Sequence, residues 1–192
     1  MGNESYKRWH KPQENAKTNQ GYYRIANPSK YVGDPNLCIY RSSWEFAFMK
    51  YCDYSPSILR WSAEPISIPY YDRTAKLEEN AKLGLDNNNP ANWKVSNYHI
   101  DFWIEQDKGD GQIEKMFIEI KPSIKLKKPI PPKEGCTAKE ERNYICLMKE
   151  YLQNESKFAA CKAWAEKNNA KFYVFTEDTL KNIISRFPAP KR

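Results

Sequence analysis

Two acidic residues and a lysine in the middle of the chain have the types and spacing needed for metal-assisted chemistry. They are Asp101 and the pair Glu119 and Lys121. Residues two apart in a β-strand project from the same face, so Glu119 and Lys121 are expected side by side. Two carboxylates that approach each other repel unless a cation lies between them, and Mg²⁺ prefers such oxygen ligands. The pattern therefore predicts a Mg²⁺ site held by Asp101 and Glu119, in which Mn²⁺ is expected to substitute.

The neighbours of these residues extend the predicted site. Lys121 would position or help to deprotonate an attacking water, or stabilise charge that builds up on a phosphate. The backbone carbonyl of Ile120 would offer the metal a further oxygen. A solvated strand face is the competing interpretation, because Glu and Lys two residues apart are common there. The apolar residues around Glu119 and Asp101 favour central strands instead, where an unpaired carboxylate is costly.

Two strands joined by a tight turn are expected to carry the three residues. A strand at 95–106 would contain Asp101, and its hairpin partner at 113–121 would contain Glu119 and Lys121. The Lys-Gly-Asp-Gly sequence at 108–111 is typical of the turn between them. Alternation in the first strand predicts one apolar row opposite Asp101, formed by Tyr98, Ile100, Phe102 and Ile104.

The remaining segments predict an α/β domain with the order α-β-β-β-α-β-α. Ser42 and Glu45 have the spacing of a capping box, which begins a helix that residues 54–56 end. The other expected elements are strands at 58–61 and 64–71, a hairpin insertion at 72–94, a Lys/Pro-rich loop at 123–137, a helix with breaks from 138 to 168, a buried strand at 171–175 and a last helix at 177–186. In the long helix, Phe158, Cys161 and either Trp164 or Ala165 are expected to face inward.

Residues 1–40 are predicted to be a basic N-terminal arm that precedes a single domain at 41–187. Basic and aromatic residues are interleaved in this arm, which suits contact with a phosphate backbone or another partner. An arm packed against its own domain is the alternative.

The overall composition is that of a folded, basic protein. The net charge of +7 and the pI of 9.0 are compatible with a nucleic acid partner, although many basic proteins bind none. The five cysteines form no Cys-x-x-Cys pair, so free thiols are expected rather than a zinc site. No run approaches the roughly 18 apolar residues of a membrane span, so no membrane partner is expected.

The predicted site and the residues around it resemble the PD-(D/E)xK nuclease superfamily. The matching segments are Tyr98-His99-Ile100-Asp101-Phe102 and Ile118-Glu119-Ile120-Lys121-Pro122, with Ile100 where the superfamily usually has proline. The arrangement is also similar to that of TnsA-like transposon endonucleases, down to Lys157-Phe158-Ala159-Ala160 and Phe175-Thr176-Glu177.

Further segments resemble the head completion proteins of T4-like tailed phages. These segments are residues 27–34, 40–45 and 61–70, and with the acidic segments they extend the resemblance over about residues 20–180. The insertion between Tyr71 and Val95 departs from that family. The resemblance implies a restriction-endonuclease-like αβββαβ core, in which helices flank a central mixed sheet.

The resemblance also implies additional site residues. A glutamate on the first helix often joins the metal site in this superfamily, which makes Glu45 a candidate ligand, although the capping box explains it without catalysis. Glu64 would support the metal ligands or simply mark a strand edge. Arg41 and Ser43 are candidates for contact with the DNA backbone. His99 is expected to face the substrate or to be structural rather than to bind metal, and Lys157 would either face a phosphate or be a solvated helix lysine.

The implied activity is Mg²⁺-dependent hydrolysis of a phosphodiester in double-stranded DNA. The implied task is to process or secure the packaged DNA end before tail attachment, with phage head or neck proteins of the portal region as partners. The protein is then expected in the host cytoplasm during assembly, or in the virion head and neck. The alternatives are a structural head or neck protein that binds DNA without cleaving it, and a TnsA-like transposition endonuclease.

Overall fold

The computed structural model describes residues 11–13 and 18–190. Within them the elements are β1 (Gly21–Tyr22), β2 (Ile39–Tyr40), α1 (Ser43–Tyr54), β3 (Ile58–Ala63), β4 (Ser67–Asp72), α2 (Leu77–Lys82), β5 (Lys94–His99), β6 (Phe102–Asp107), β7 (Ile113–Ile120), α3 (Ala138–Lys167), β8 (Lys171–Phe175) and α4 (Glu177–Arg186). Short 3₁₀ helices lie at Pro28–Lys30, Pro35–Leu37, Pro90–Asn92 and Ser123–Leu126.

A mixed four-stranded sheet with the order β3-β6-β7-β8 forms the centre of the domain. β3, β6 and β7 are antiparallel, whereas β8 runs parallel to β7. Apolar residues of α1 and α4 pack on one face of this sheet. α3 and a separate two-stranded sheet formed by β4 and β5 pack on the other face. This arrangement confirms the predicted restriction-endonuclease-like fold, with a central mixed sheet flanked by helices.

The first helix begins where the capping pattern predicts. The Ser42 hydroxyl accepts a hydrogen bond from the backbone N–H of Glu45 at 3.1 Å. The return contact differs from a standard capping box, because the Glu45 carboxylate accepts from the backbone N–H of Arg41 at 2.8 Å rather than from that of Ser42. Glu45 therefore fixes the approach of β2 to α1 as well as the helix start.

The prediction of one continuous strand over 95–106 is wrong. The chain forms β5, bends at Ile100 and Asp101, and continues as β6 in the other sheet. Ile100 packs on the α3 side of the central sheet, whereas Phe102 packs on the α1 side, although both are completely buried. The apolar alternation continues through the bend because both sides are covered, so the sequence pattern does not reveal the change of sheet.

The second half of the chain contains two further differences from the sequence prediction, in α3 and β8, and decides one alternative that this prediction left open. α3 is one uninterrupted helix of 30 residues, begun by a capping box between Thr137 and Glu140. Cys161 and Ala165 are buried on it, whereas Trp164 is 36% exposed, so Ala165 is the inward residue. β8 is an edge strand rather than a fully buried one, and its side chains are exposed or half-buried.

The insertion at 72–94 connects β4 to β5, as a hairpin insertion should, but it contains secondary structure of its own. α2 and the 3₁₀ helix Pro90–Asn92 lie within it. The buried amide of Asn80 donates to the Asn87 side chain at 2.9 Å and to the carbonyl of Asn92 at 3.2 Å. These bonds hold the insertion together across its own turns.

Residues 18–40 pack against the domain, in line with the second of the two alternatives for the arm. Tyr23 is buried in the core beside Trp61, and Tyr31 forms a β-bridge with Trp61. Fully buried Asp53 accepts from the Tyr23 hydroxyl at 2.9 Å and from the backbone N–H groups of Ala26 and Asn27 at 2.7 and 2.9 Å. Residues 1–10 and 14–17 of the predicted arm lie outside the described part of the chain.

The described residues can be compared with the sequence expectations on membrane spans and on cysteines. None of the helices within 11–13 and 18–190 is long and apolar enough to cross a membrane. All five cysteines are free: Cys38, Cys52, Cys136, Cys146 and Cys161.

Replacing Asp53 by asparagine is expected to lower the free energy of unfolding by about 2–3 kcal/mol. An amide in this position would present a donor to groups that are themselves donors, and so would leave at least one buried N–H or O–H unpaired. Denaturant unfolding measures the effect. Asp110→Asn is the matched control, because Asp110 is exposed and its positive φ of 51° suits asparagine. Equal stability of the two variants would contradict the anchoring role of Asp53.

Candidate active site

The bend between β5 and β6 fixes Asp101 against the end of β7. The Asp101 carboxylate accepts a hydrogen bond from the backbone N–H of Ile120 at 2.7 Å. Its own carbonyl accepts from the backbone N–H of Glu64 at 2.8 Å. Glu64 has a positive φ of 45°, a conformation that costs a residue with a Cβ some strain. The backbone around Asp101 is therefore held from β3 and from β7 at once.

Glu119 is the most deeply buried charged residue of the site. It projects from the central strand β7 toward the α3 side and is only 1% exposed. One carboxylate oxygen accepts from the Lys121 ammonium group at 2.9 Å. The other oxygen, Oε2, is buried and has no hydrogen-bond partner among the described residues. An unpaired buried carboxylate oxygen is costly, so this atom marks a position where a cationic or donating ligand would be stabilised.

The charged groups of the site influence one another's pKa values. Burial and the charges of Glu119 and Glu45 raise the pKa of Asp101 well above its ordinary value, against the Ile120 N–H and the Lys121 charge. Burial on its own lowers the pKa of Lys121, but the charges of Glu119 and Asp101 raise it above its ordinary value. Asp101, Glu119 and Lys121 therefore form one interacting group, as the sequence pattern predicts.

Glu45 approaches this group from the first turn of α1. Its two oxygens accept from the Arg41 N–H at 2.8 Å and from the Ser42 hydroxyl at 2.9 Å. Burial raises the pKa of Glu45 to about 7, and the charge of Glu64 adds to this effect. The carboxylate thus serves the helix cap and also acts electrostatically on Asp101. Both of the alternatives stated for Glu45 are compatible with this position.

Glu64 and Arg41 form a two-point ion pair beside Glu45. The Arg41 Nε lies 2.6 Å from one Glu64 oxygen, and its Nη2 lies 3.3 Å from the other. Glu64 follows directly after β3. This ion pair favours the first alternative for Glu64, a carboxylate that supports the metal ligands, over an exposed charge at a strand edge. Ser43 begins α1 and is exposed.

The remaining two candidate residues, His99 and Lys157, lie on β5 and α3. His99 ends β5, where its Cα pairs with that of Ser67, and it is half-buried. Lys157 lies on α3, and its ammonium group lies over the rings of Tyr98 and Tyr70, with the centroids at 5.1 and 5.8 Å. Lys157 is half-buried rather than a solvated helix lysine.

The donor set suits a divalent cation in one respect and differs from a ready-made site in another. Asp101 and Glu119 supply hard oxygen atoms, and the unpartnered Oε2 of Glu119 is free to coordinate. Within residues 11–13 and 18–190, however, no group of three or more His, Cys, Asp or Glu side chains forms a metal cluster. A cation bound here would thus rest on two carboxylates, with Glu45 and the Ile120 carbonyl as further predicted ligands. Mg²⁺ commonly binds with few carboxylates and keeps several waters, so the residues present fit it.

Sequence reasoning missed two features that position the site. The hydroxyl of Tyr98 is buried near Glu119 but makes no hydrogen bond of normal geometry. Simple alternation placed Tyr98 opposite Asp101, and only the bend brings both to Glu119. The second feature is the β8–α4 junction, where the Phe175 carbonyl accepts from the Lys121 N–H at 2.9 Å and Glu177 accepts from the Ser123 N–H at 2.8 Å. The Phe175-Thr176-Glu177 segment was the available signal for it.

Comparison with known families assigns the central part of the chain. The family model described as TnsA-like endonuclease N terminal matches residues 55–177, more than half of the chain. The chain belongs to the TnsA-like endonuclease family. The matched residues of this TnsA-like endonuclease include Asp101, Glu119, Lys121 and the part of α3 that carries Lys157. Glu45 precedes the matched segment.

A curated relative matches a longer part of the chain than the family model does. The chain is 32% identical over 157 residues to a protein of Enterobacteria phage T4 that is named head completion nuclease. The alignment covers 82% of this chain and 90% of the phage T4 protein. These findings confirm the resemblance to both families that the sequence motifs indicate.

Asp101→Asn is expected to raise the free energy of unfolding by about 1 kcal/mol when divalent cations are removed with EDTA. The pKa of Asp101 is raised in the folded protein, so its ionised form disfavours folding at neutral pH, and an amide removes this cost. The amide oxygen can still accept from the Ile120 N–H. Denaturant unfolding in EDTA measures the change, with Asp110→Asn as the surface control. A loss of stability relative to that control would show that the carboxylates do not repel each other.

Proposed function

We propose that this chain is a Mg²⁺-dependent endodeoxyribonuclease of phage head completion, which processes or secures the packaged DNA end before tail attachment. The observation that carries the proposal is the group formed by buried Glu119, half-buried Asp101 and Lys121, at the centre of a TnsA-like endonuclease domain. The T4 relative, whose name contains both head completion and nuclease, supports the biological setting.

Each of the four proposed catalytic residues would have its own role in phosphodiester hydrolysis. Asp101 and Glu119 would hold Mg²⁺, which on binding supplies positive charge to the phosphate and favours deprotonation of an attacking water. Lys121 reaches the same space, since its ammonium group lies 2.9 Å from Glu119. Lys121 would orient the attacking water or contact a phosphate oxygen. Glu45, through its position beside Asp101, would help to hold the metal or its water.

The segment after Lys121 offers a surface for the DNA backbone. Lys125 pairs with Glu150 of α3 at 2.6 Å, and this ion pair helps to anchor the 3₁₀ helix Ser123–Leu126. The lysines that follow are exposed, namely Lys127, Lys128 and Lys133. Lysines at this position would neutralise phosphates next to the site, and the net charge of +7 favours approach to DNA.

The proposed setting defines the partners and the location. The substrate would be double-stranded DNA, and the surrounding proteins would be those of the phage head or neck near the portal. The protein would act in the host cytoplasm during assembly and would remain in the head or neck if it secures the DNA end. Mn²⁺ is expected to replace Mg²⁺, because both accept the same oxygen ligands.

The purified protein is expected to cleave circular duplex DNA in the presence of Mg²⁺ or Mn²⁺, and Asp101→Asn is expected to reduce the rate by about 10³-fold or more. Gel analysis of linear and circular duplexes with each metal measures the activity and distinguishes endonuclease from exonuclease action. Asp110→Asn provides the control for a lost surface charge. Absence of cleavage by the unmodified protein, or equal cleavage by Asp101→Asn, would overturn the proposal. DNA binding without cleavage would instead favour a structural head or neck protein.

Comparing the single variants Glu45→Gln and Ser42→Ala distinguishes a helix-capping role of Glu45 from a role in metal binding. Both weaken the cap of α1, so each is expected to cost about 1 kcal/mol of stability. Only Glu45→Gln is expected to raise the Mg²⁺ concentration needed for half-maximal cleavage, because only this variant removes a carboxylate beside Asp101. Metal titration of cleavage and denaturant unfolding provide the two measurements. Identical metal dependence in both variants would restrict Glu45 to capping.

A further inference from the structure

A second lysine approaches the site from an element that the proposed chemistry does not use. Lys157 lies in the middle of α3, and its ammonium group is held over the rings of Tyr98 and Tyr70. Among the described residues no carboxylate lies within 4.0 Å of this ammonium group, in contrast to Lys121 and Lys125. The cation is held by ring faces and dipoles, so its positive charge is not neutralised by a salt bridge.

A chain of hydrogen bonds orients Lys157. Gln153, one turn earlier on α3, donates through its Nε2 to the Asp72 carboxylate at 2.8 Å. A carboxylate only accepts, so this bond fixes the amide with its oxygen toward Lys157, which donates to that oxygen at 3.3 Å. Asp72 and Lys157 are thus linked through one glutamine of defined orientation.

The Asp72 carboxylate, at the end of this chain of hydrogen bonds, is itself held in place by further hydrogen bonds. It is 3% exposed and also accepts from the Thr74 N–H at 2.9 Å, from the Thr74 hydroxyl at 2.7 Å and from the Tyr70 hydroxyl at 3.1 Å. Although burial raises the pKa of Asp72, the bonds from Gln153 and Thr74 lower it below the ordinary value. The carboxylate remains ionised at neutral pH and keeps its four donors in place.

Lys157 faces the same space as the metal-binding residues. The ring of Tyr98 lies against its ammonium group, and the buried hydroxyl of the same Tyr98 lies near the Glu119 carboxylate. Burial and the charge of Lys121 lower the pKa of Lys157, whereas Glu119 raises it. Lys121 therefore contacts the Glu119 carboxylate directly, and Lys157 is close enough for the charges of Glu119 and Lys121 to act on it.

We propose that Lys157 is a further catalytic residue, which contacts a phosphate oxygen of the bound DNA beside the Asp101–Glu119 pair, and that Gln153 and Asp72 are positioning residues for it. The inference rests on the proposed nuclease function. Two ammonium groups near a carboxylate pair suit a phosphodiester, because negative charge builds up on the phosphate oxygens in the transition state. The competing role for Lys157 is a structural contact that joins α3 to β4 and β5.

The test compares Lys157→Met with Lys157→Arg and with Lys162→Met. Methionine keeps the length and packing of the side chain without its charge, and Lys162 is an exposed lysine on the same helix. Lys157→Met is expected to lower kcat/KM for duplex cleavage by about 10²-fold, and Lys157→Arg is expected to recover part of this loss. Lys162→Met is expected to match the unmodified protein. A kcat/KM of Lys157→Met within twofold of that control would overturn the proposal, whatever its melting temperature.

A binding measurement keeps the test independent of cleavage. In the Asp101→Asn background, in EDTA, the slope of log Kd for a duplex against log salt concentration is expected to fall by about 0.9 on adding Lys157→Met. Lys162→Met should leave this slope unchanged. If the unmodified protein fails to cleave DNA but the slope falls as expected, the nuclease function fails while the phosphate contact of Lys157 stands. An unchanged slope would remove the phosphate contact even in an active nuclease.

The positioning role of Gln153 has its own outcome. Gln153→Met removes the oriented acceptor but leaves Lys157 present, so kcat/KM is expected to fall by about tenfold. The double variant Gln153→Met with Lys157→Met is expected to be no worse than Lys157→Met alone, because Gln153 acts through Lys157. Additive losses in the double variant would show that Gln153 does not act through Lys157 and would overturn its assignment.

Discussion

The hydrogen bond from the Ile120 N–H to the Asp101 carboxylate is the contact on which the arrangement of the molecule depends. It lies where the chain leaves the sheet of β4 and β5 and enters the central sheet as β6. A strand that changes sheets must give up its ladder partners for a few residues, and the side chain of Asp101 satisfies one backbone group in that gap. The same contact brings the carboxylate beside Glu119. One bond therefore shapes the backbone and assembles the site.

Burial makes the charged groups of this site costly to the fold. Glu119 occupies a central strand, where solvent cannot compensate its charge, and one of its oxygens lacks a partner among the described residues. Such a group destabilises the fold unless a ligand binds it, which favours a chemical role over a packing role. Lys121 limits this cost, because its ammonium group pairs with the other oxygen of Glu119. Beside Glu45, Arg41 compensates the charge of Glu64.

The sequence predicts the elements that are determined by local patterns. It does not predict features that depend on contacts between residues far apart in the chain. Helix α1 and strand β7 follow from a capping box and from alternation, and the motif around Asp101 and Glu119 identifies the fold. The sequence does not predict the bend at Asp101, because both faces of the strand are covered and the apolar pattern continues through the bend. The continuity of α3 depends on its capping box at Thr137 and on packing of its second half against the sheet. The link from Asp72 to Gln153 joins residues 81 positions apart, and no local pattern reports it.

The 30 residues of α3 give a helix of about 45 Å, longer than the sheet needs. Its buried residues, Asn154, Cys161 and Ala165, all belong to the second half, whereas residues 138–149 are largely exposed. Natural variation can therefore act differently on the two halves. Changes in the first half, including gain or loss of whole turns, leave the register of the second half untouched. Related proteins can in this way acquire different outer surfaces, while the end of the helix that faces Glu119 is preserved by its neighbours.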